Sequence, residues 1–145
     1  MSTYREHYSV SSHDVDINNN IKPSSLARLM QETANHNMRD RRPTYEGLFD
    51  NGQSFIATRI LYELVDQIHQ YDEIDVHTWA TRGKAATFVR CFLAKRGDEV
   101  VARGYSEWAV VNIYTGKLCR TDEIDLSEYE FDEPLEMNIP LRFTL

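Results

Sequence analysis

The sequence has few of the features that mark several common classes of protein. Its two cysteines, Cys91 and Cys119, make neither a disulfide framework nor a CxxC pair, and the HxxxH spacing of metal sites is absent. No apolar run approaches the roughly 18 residues of a membrane helix, and the first ten residues lack the apolar stretch of a secretory signal. We therefore expect a cytoplasmic protein that needs no metal, cofactor or membrane.

Basic residues are also not in surplus. The net charge is −7, yet residues 1–120 contain equal numbers of acidic and basic side chains, and the whole excess lies in residues 121–145, where Arg142 is the single base. An acidic tail repels duplex nucleic acid, and a neutral remainder does not attract it. The charge pattern excludes nucleic acid as a partner and separates an acidic extension from the rest of the chain.

What the sequence does contain indicates one α+β domain, in keeping with its length of 145 residues. Polar and apolar side chains alternate over residues 4–10, which predicts a strand. Apolar residues at spacings of three and four follow Pro23, which predicts a helix over residues 24–39. Residues 11–20 and 39–52 are rich in turn-forming side chains and are predicted to be loops.

The second half is rich in β-branched and aromatic residues, and we predict long strands at 55–66, 74–82, 85–95 and 100–113, with a short one at 118–120. The glycine-containing connections at 82–84 and 96–98 are so short that the strands they join must be antiparallel neighbours. The prediction is an antiparallel sheet that wraps its apolar face around one long helix.

Three segments carry a family resemblance. Residues 14–34 read DVDINNNIKPSSLARLMQETA, residues 77–80 read HTWA, and residues 104–112 read GYSEWAVVN. Arg90 lies in the strand before the last of these segments. Together they resemble the loop and helix, the TW strand, the arginine strand and the S-x-W strand of the acyl-acyl carrier protein thioesterases. That family has the hot-dog fold, so the resemblance implies a single hot-dog domain over residues 1–120.

Chains of this family usually contain two hot-dog units in tandem, and this chain resembles the first unit. Residues 121–145 then fall where a linker toward the second unit would run, and we expect this extension to pack on the edge of the domain. The resemblance implies a homodimer or a pairing with a second hot-dog unit. Pairing also follows from the fold, because an unprotected sheet edge is usually covered.

The resemblance also implies candidate catalytic residues. In the family's second unit, the catalytic loop reads aspartate, any residue, asparagine, any residue, histidine, and a helical glutamate follows. In register, these positions fall on Asp16, Asn18, Asn20 and Glu32, so Asn20 stands where the family has histidine. Asp16 would activate water, the asparagines would orient it, and the N-terminal amides of the helix would hold the thioester oxygen.

Each candidate also has a plain structural interpretation. Asp and Asn side chains in a loop commonly cap the next helix and close turns. Glu32 follows Arg28 by four residues and can form an ion pair with it, or be solvated. Because Glu32 lies about 12 Å into the helix, it would act only if the loop of a facing subunit reaches it.

Two further sets are candidates for substrate binding. Arg39, Arg41 and Arg42 form the densest basic cluster and would dock an acidic acyl carrier protein, although a solvated loop explains them equally well. Trp79 and Trp108 belong to the apolar strand residues that would form the core and the acyl slot. The sequence does not distinguish the two faces.

Cys91 with His77 or His36 is a weaker candidate for a thiol catalyst, because a cysteine inside a strand is most often a packing residue. The resemblance thus implies a thioesterase that hydrolyses fatty acyl thioesters of acyl carrier protein to free fatty acid, with coenzyme A thioesters as the other possible substrate. The alternative is a non-catalytic hot-dog module that binds acyl chains or completes a dimer, which the missing histidine favours. A hot-dog dehydratase is disfavoured, because His13 precedes the loop.

Overall fold

Six strands and two α-helices make up the part of the chain that the computed structural model describes, residues 3–39, 41, 44–83, 87–120, 124 and 131–137. The helices are α1 (Pro23–Met38) and α2 (Tyr45–Asp50). The strands are β1 (Tyr4–Ser9), β2 (Gln53–Leu64), β3 (Glu73–Arg82), β4 (Phe88–Arg96), β5 (Glu99–Asn112) and β6 (Leu118–Cys119).

The strands form one sheet in the order β1-β3-β4-β5-β2, and β6 pairs with β5. Every pair of these strands is antiparallel. The short connection at 96–98 makes β4 and β5 neighbours, as predicted. β2 lies on the far side of β5, and no other strand of the described part of the chain pairs with its outer edge.

The core lies between α1 and one face of the sheet. The helical stripe read from the sequence is buried at Leu26, Leu29, Met30 and Ala34, and Phe92 of β4 packs into the same cluster. On β5, an added Cβ at Gly104 would lie 2.8 Å from Met30 Sδ and 3.1 Å from Phe92. The absence of a side chain at Gly104 therefore sets how closely the helix and the sheet approach each other.

The prediction of a loop over residues 39–52 is wrong at its centre, where α2 forms. Thr44 precedes the helix, and its side chain accepts a hydrogen bond from the Gly47 amide at 3.0 Å. The glycines at 47 and 52 suggested an uninterrupted loop, but Gly47 leaves room for the capping hydroxyl. Gly52, at φ +74°, ends the turn that follows α2.

Residues 131–137, called the strap below, lie against the sheet. Phe131 pairs in parallel with Ala80 of β3, and the Asp132 amide donates to the Ala80 carbonyl at 2.9 Å. Farther along, the Trp79 indole donates to the Glu133 carbonyl at 2.8 Å. Of the remaining predicted acidic extension, only Ile124 lies among the described residues, and it is buried.

Candidate functional site

A cavity of about 650 Å³ lies between the C-terminal half of α1 and the sheet. Its apolar walls come from Ala34 and Met38 of α1, Phe55 of β2, Phe88 of β4 and Trp108 of β5. The Phe55 and Phe88 rings meet edge to face, with their centroids 5.8 Å apart. The volume and the apolar lining are those of a site for a small, largely hydrocarbon ligand.

Arg90 introduces a cation into this apolar wall. It is buried, it lines the cavity, and its Nη1 donates to Asn37 Oδ1 at 3.0 Å and to Thr78 Oγ1 at 3.3 Å. The amide nitrogen of Asn37 is itself buried, with no hydrogen-bond partner among the described residues. Of these groups, Arg90 lines the cavity, and its charge favours an oxygen-bearing ligand at this end of α1.

His36 connects the cavity to a half-buried network of hydrogen bonds. It lines the cavity, and its Nδ1 lies 2.6 Å from Glu6 Oε1. Glu6 also accepts hydrogen bonds from Tyr4 at 2.8 Å and from Tyr8 at 2.6 Å. Burial would raise the pKa of Glu6, but the hydrogen bonds from Tyr8, Tyr4 and His36 outweigh it and hold the pKa below its ordinary value. Glu6 is therefore a carboxylate that fixes the His36 ring.

Glu32 lies beside this network. Its Oε2 is 3.5 Å from His36 Nε2, so the imidazole stands between Glu6 and Glu32. Arg28, the alternative partner expected for Glu32, instead donates to Asp14 at 2.8 Å. Among the predicted catalytic residues, Glu32 is the one that the structure connects to the cavity.

The predicted catalytic loop lies elsewhere. The Asp16 side chain is exposed, and its Oδ1 accepts the backbone amides of Asn18 at 2.9 Å and Asn20 at 3.1 Å. This is the turn-closing role that the plain interpretation of the loop describes. The loop precedes Pro23, whereas His36 lies roughly 20 Å along the helix at 1.5 Å per residue. Within one chain, the loop and the cavity are separate.

Some of the predicted substrate-binding residues also lie at the cavity, and others do not. Trp108 and Arg39 line the cavity, and Arg41 donates to the Asn37 carbonyl at 2.7 Å. Trp79 is not among the lining residues, because it lies on the face of β3 opposite Thr78 and bonds to the strap. Arg42 lies outside the described residues.

Cys91 is a packing residue, as predicted. It is fully buried, and burial raises the pKa of its thiol. That combination disfavours the reactive thiolate of a thiol catalyst.

Sequence reasoning missed residues of the cavity, of the network beside it and of the separate loop. Phe131 lines the cavity from far outside the predicted slot, and Asp14 is the buried carboxylate of the loop. Of these residues, only Glu6 could have been found from the sequence pattern. It is an acidic residue on the inward-facing side of β1, between Tyr4 and Tyr8. No periodicity points to a contact made by the strap.

An antiparallel sheet around one long helix, with a cavity between them, defines a hot-dog domain. The chain matches the model of the acyl-ACP thioesterase N-terminal domain over residues 1–129 and belongs to that family. No curated protein matches the sequence significantly.

Solved structures agree with this fold. An acyl-ACP thioesterase from Bacteroides thetaiotaomicron superposes with a TM-score of 0.89 at 21% identity and covers 99% of this chain. The 12:0-ACP thioesterase from Umbellularia californica gives 0.88 at 16% identity over 100% of this chain. A 1,4-dihydroxy-2-naphthoyl-CoA thioesterase from Synechocystis gives 0.74 at 12% identity, with 82% of this chain and 89% of that chain covered.

The chain spans only 59% of the Bacteroides protein and 61% of the Umbellularia protein. Across the described ranges, no helix is long and apolar enough to cross a membrane. In the same ranges, no group of three or more His, Cys, Asp or Glu side chains is arranged to hold a metal ion.

Proposed function

We propose that this chain takes part in the hydrolysis of fatty acyl thioesters and that its cavity holds the acyl chain. The observation that carries the proposal is the cavity itself, which is walled by Phe55, Phe88 and Trp108 in a chain of the acyl-ACP thioesterase family. Burial of each methylene in such a slot contributes about 0.8 kcal/mol. An extended hydrocarbon is therefore the ligand that this lining binds best.

The proposed carrier is acyl carrier protein, in the cytoplasm, with coenzyme A as the second possibility. Arg39 is exposed at the cavity, and Arg41 lies just beyond the end of α1. These two side chains provide positive charge next to the proposed acyl site, and Arg42 follows them in the sequence. Such charge favours an acidic carrier and the phosphate of a pantetheine arm.

Hydrolysis needs a base for the attacking water and donors for the developing oxyanion. We assign the base to Asp16, with Asn18 and Asn20 orienting the water and Glu32 supporting the reacting group from α1. Because the loop and the cavity lie at opposite ends of α1, these groups meet only when two hot-dog units pair. The loop of one unit would then serve the cavity of the other.

The pairing surface that we propose is β2, either in a homodimer or with a second hot-dog unit. Among the described residues, this strand pairs with β5 on one side only, and Ile56, Ile60 and Leu64 are each about two-fifths exposed. An exposed apolar edge of this length favours association with another chain. The acidic extension beyond residue 120 would then serve as the linker to such a unit.

A second candidate function is a non-catalytic module that binds acyl chains or completes a dimer. Two observations favour it. Asn20 replaces the histidine of the family's catalytic loop, and the Asp16 carboxylate already accepts two backbone amides. In this case the catalytic loop would belong to the partner unit.

A steady-state assay on lauroyl and palmitoyl thioesters of acyl carrier protein separates the two functions. If Asp16 is the base, Asp16→Asn lowers kcat by roughly 10²- to 10⁴-fold, while the turn survives because an amide oxygen replaces the accepting carboxylate oxygen. Asp50→Asn, at an exposed carboxylate of α2, is the matched control and keeps full activity. Wild-type turnover that Asp16→Asn leaves unchanged contradicts the assignment of the base. Saturable binding without any turnover identifies the module.

A further inference from the structure

The cavity is closed on the β3 side by a residue that lies outside the predicted domain. β1 begins at Tyr4, opposite Thr78, so the edge of β3 beyond Thr78 has no partner from β1. Phe131 of the strap occupies that position, pairs with Ala80, and lines the cavity together with it. Ser106 of β5, Arg90 of β4 and Ala80 of β3 are paired with one another across the sheet. This row of paired residues ends at Phe131.

The Phe131 ring is held in place from several sides. The Arg82 guanidinium lies 4.6 Å from the ring centroid, in cation–π geometry. The next amide, that of Asp132, donates to Ala80, and the Trp79 indole donates to the Glu133 carbonyl. A ring fixed by both its backbone and its face acts as a wall for the cavity and not as a loose side chain at its entrance.

The strap also sits on the outer face of the sheet. The Leu135 backbone lies beside the buried Cys91 sulfur, and Trp79 projects from the same face. These contacts keep the strap backbone in place when the side chain at 131 changes. A substitution can therefore change the size of the side chain at position 131 without releasing the strap from the sheet.

We propose that Phe131 determines the length of the acyl chain that this cavity accepts. This inference rests on the proposed function, because it assigns an acyl ligand to the cavity. A hydrocarbon that lies between α1 and the sheet meets the Phe131 ring at the edge of β3. A smaller side chain opens this wall to further methylenes, and a larger one closes it earlier.

The test is a binding series with saturated acyl-coenzyme A thioesters from octanoyl to stearoyl, each kept below its micelle concentration. Phe131→Ala should move the tightest binding toward longer chains, with about fourfold in affinity for each methylene that gains burial. Phe131→Trp should move it toward shorter chains. The opposite directions distinguish a wall from general damage, which weakens all lengths alike.

Phe49→Ala is the matched control, because Phe49 is a half-exposed phenylalanine of α2 that does not line the cavity. Its length preference should equal that of the wild type. An unchanged preference in both Phe131 variants, or uniform weakening at every length, contradicts the role of Phe131 but leaves the acyl site intact. Absence of binding by the wild-type protein, both to these thioesters and to the palmitoyl thioester of acyl carrier protein, contradicts the proposed function itself.

Discussion

Two aspartates of one loop show how strongly position alters the role of a side chain. Asp16 is exposed and closes a turn, whereas Asp14 is 4% exposed and accepts hydrogen bonds from the Ser11 amide, the Ser11 hydroxyl and Arg28. Burial would raise the pKa of Asp14, but these donors outweigh it and hold the pKa below its ordinary value. Asp14 therefore holds the loop in place, and Asp16 is available for other roles.

Asp14→Asn should lower the free energy of unfolding at neutral pH by about 1–3 kcal/mol, because the Arg28 and Ser11 donors lose a charged acceptor. Since the folded pKa is depressed, this stabilisation is present above the unfolded value of 3.8 and is lost as the pH falls through the folded pKa. Urea unfolding from neutral to acid pH measures both effects. The matched change Asp16→Asn should cost less than about 1 kcal/mol. Equal losses in the two variants would contradict the distinction.

The Tyr8 hydroxyl is a second residue whose environment predicts a measurable titration. Burial, and then its hydrogen bond to Glu6, raise the pKa of Tyr8 to about 12. The folded state therefore favours the neutral phenol, which stabilises the protein fully below pH 10 and progressively less as the pH rises toward 12.

In an absorbance titration, Tyr8→Phe should remove one tyrosinate from the late part of the curve. Glu6→Gln should shift that ionisation to lower pH, because it removes the negative charge beside the phenol. A late titration that neither variant changes would show that Tyr8 and Glu6 do not interact in solution.

At the scale of elements, the sequence predicts those strands and helices whose buried residues recur at regular spacings. The inward residues of β1, the buried stripe of α1 and the long strands agree with the structure, because alternation and spacings of three and four report directly on burial. α2 was missed because glycines near its start and end looked like loop residues. The cavity wall at Phe131 was unpredictable, since a bridge to Ala80, fifty-one positions earlier, leaves no local pattern.

The candidate site was predictable in the same limited way. The family resemblance indicated Asp16 and Glu32 as candidate site residues. Asp16 lies before the start of α1, however, and its distance from the cavity depends on which part of the helix faces the cavity. The contact between Glu32 and His36 is local and visible as an i,i+4 pair, whereas Glu6 reaches His36 from another element. Long-range contacts of this kind follow from the assembled sheet and not from spacing.

The contact between α1 and β5 gives a prediction for the elements. Gly104→Ala should lower the free energy of unfolding by about 1–3 kcal/mol, because the new Cβ would lie 2.8 Å from Met30 Sδ and 3.1 Å from the Phe92 side chain. Urea unfolding measures the loss. A double variant with Met30→Val should lose less than the sum of the two single changes, because the sulfur is no longer in the way. Strict additivity would contradict the proposed contact.

At the scale of the whole molecule, the charge and the length of the chain acquire a structural meaning. The excess of −7 lies beyond residue 120, in the segment that contains the strap, while the body around the cavity is neutral. The loop with Asp16 and the cavity lined by His36 lie at opposite ends of α1, and the β2 edge is exposed and apolar. These features together favour a chain that works as one of two paired hot-dog units.

The most direct test of the acyl site uses the two tryptophans, of which Trp108 lines the cavity and Trp79 does not. Each single-tryptophan protein, Trp79→Phe or Trp108→Phe, is titrated with palmitoyl-coenzyme A while its fluorescence is recorded beside that of the wild type. We predict a saturable change in emission from the wild type and from Trp79→Phe, which retains Trp108. Trp108→Phe, which retains Trp79, should show little change. A saturable change reported by Trp79 alone, or by neither tryptophan, would contradict an acyl chain bound between α1 and the sheet.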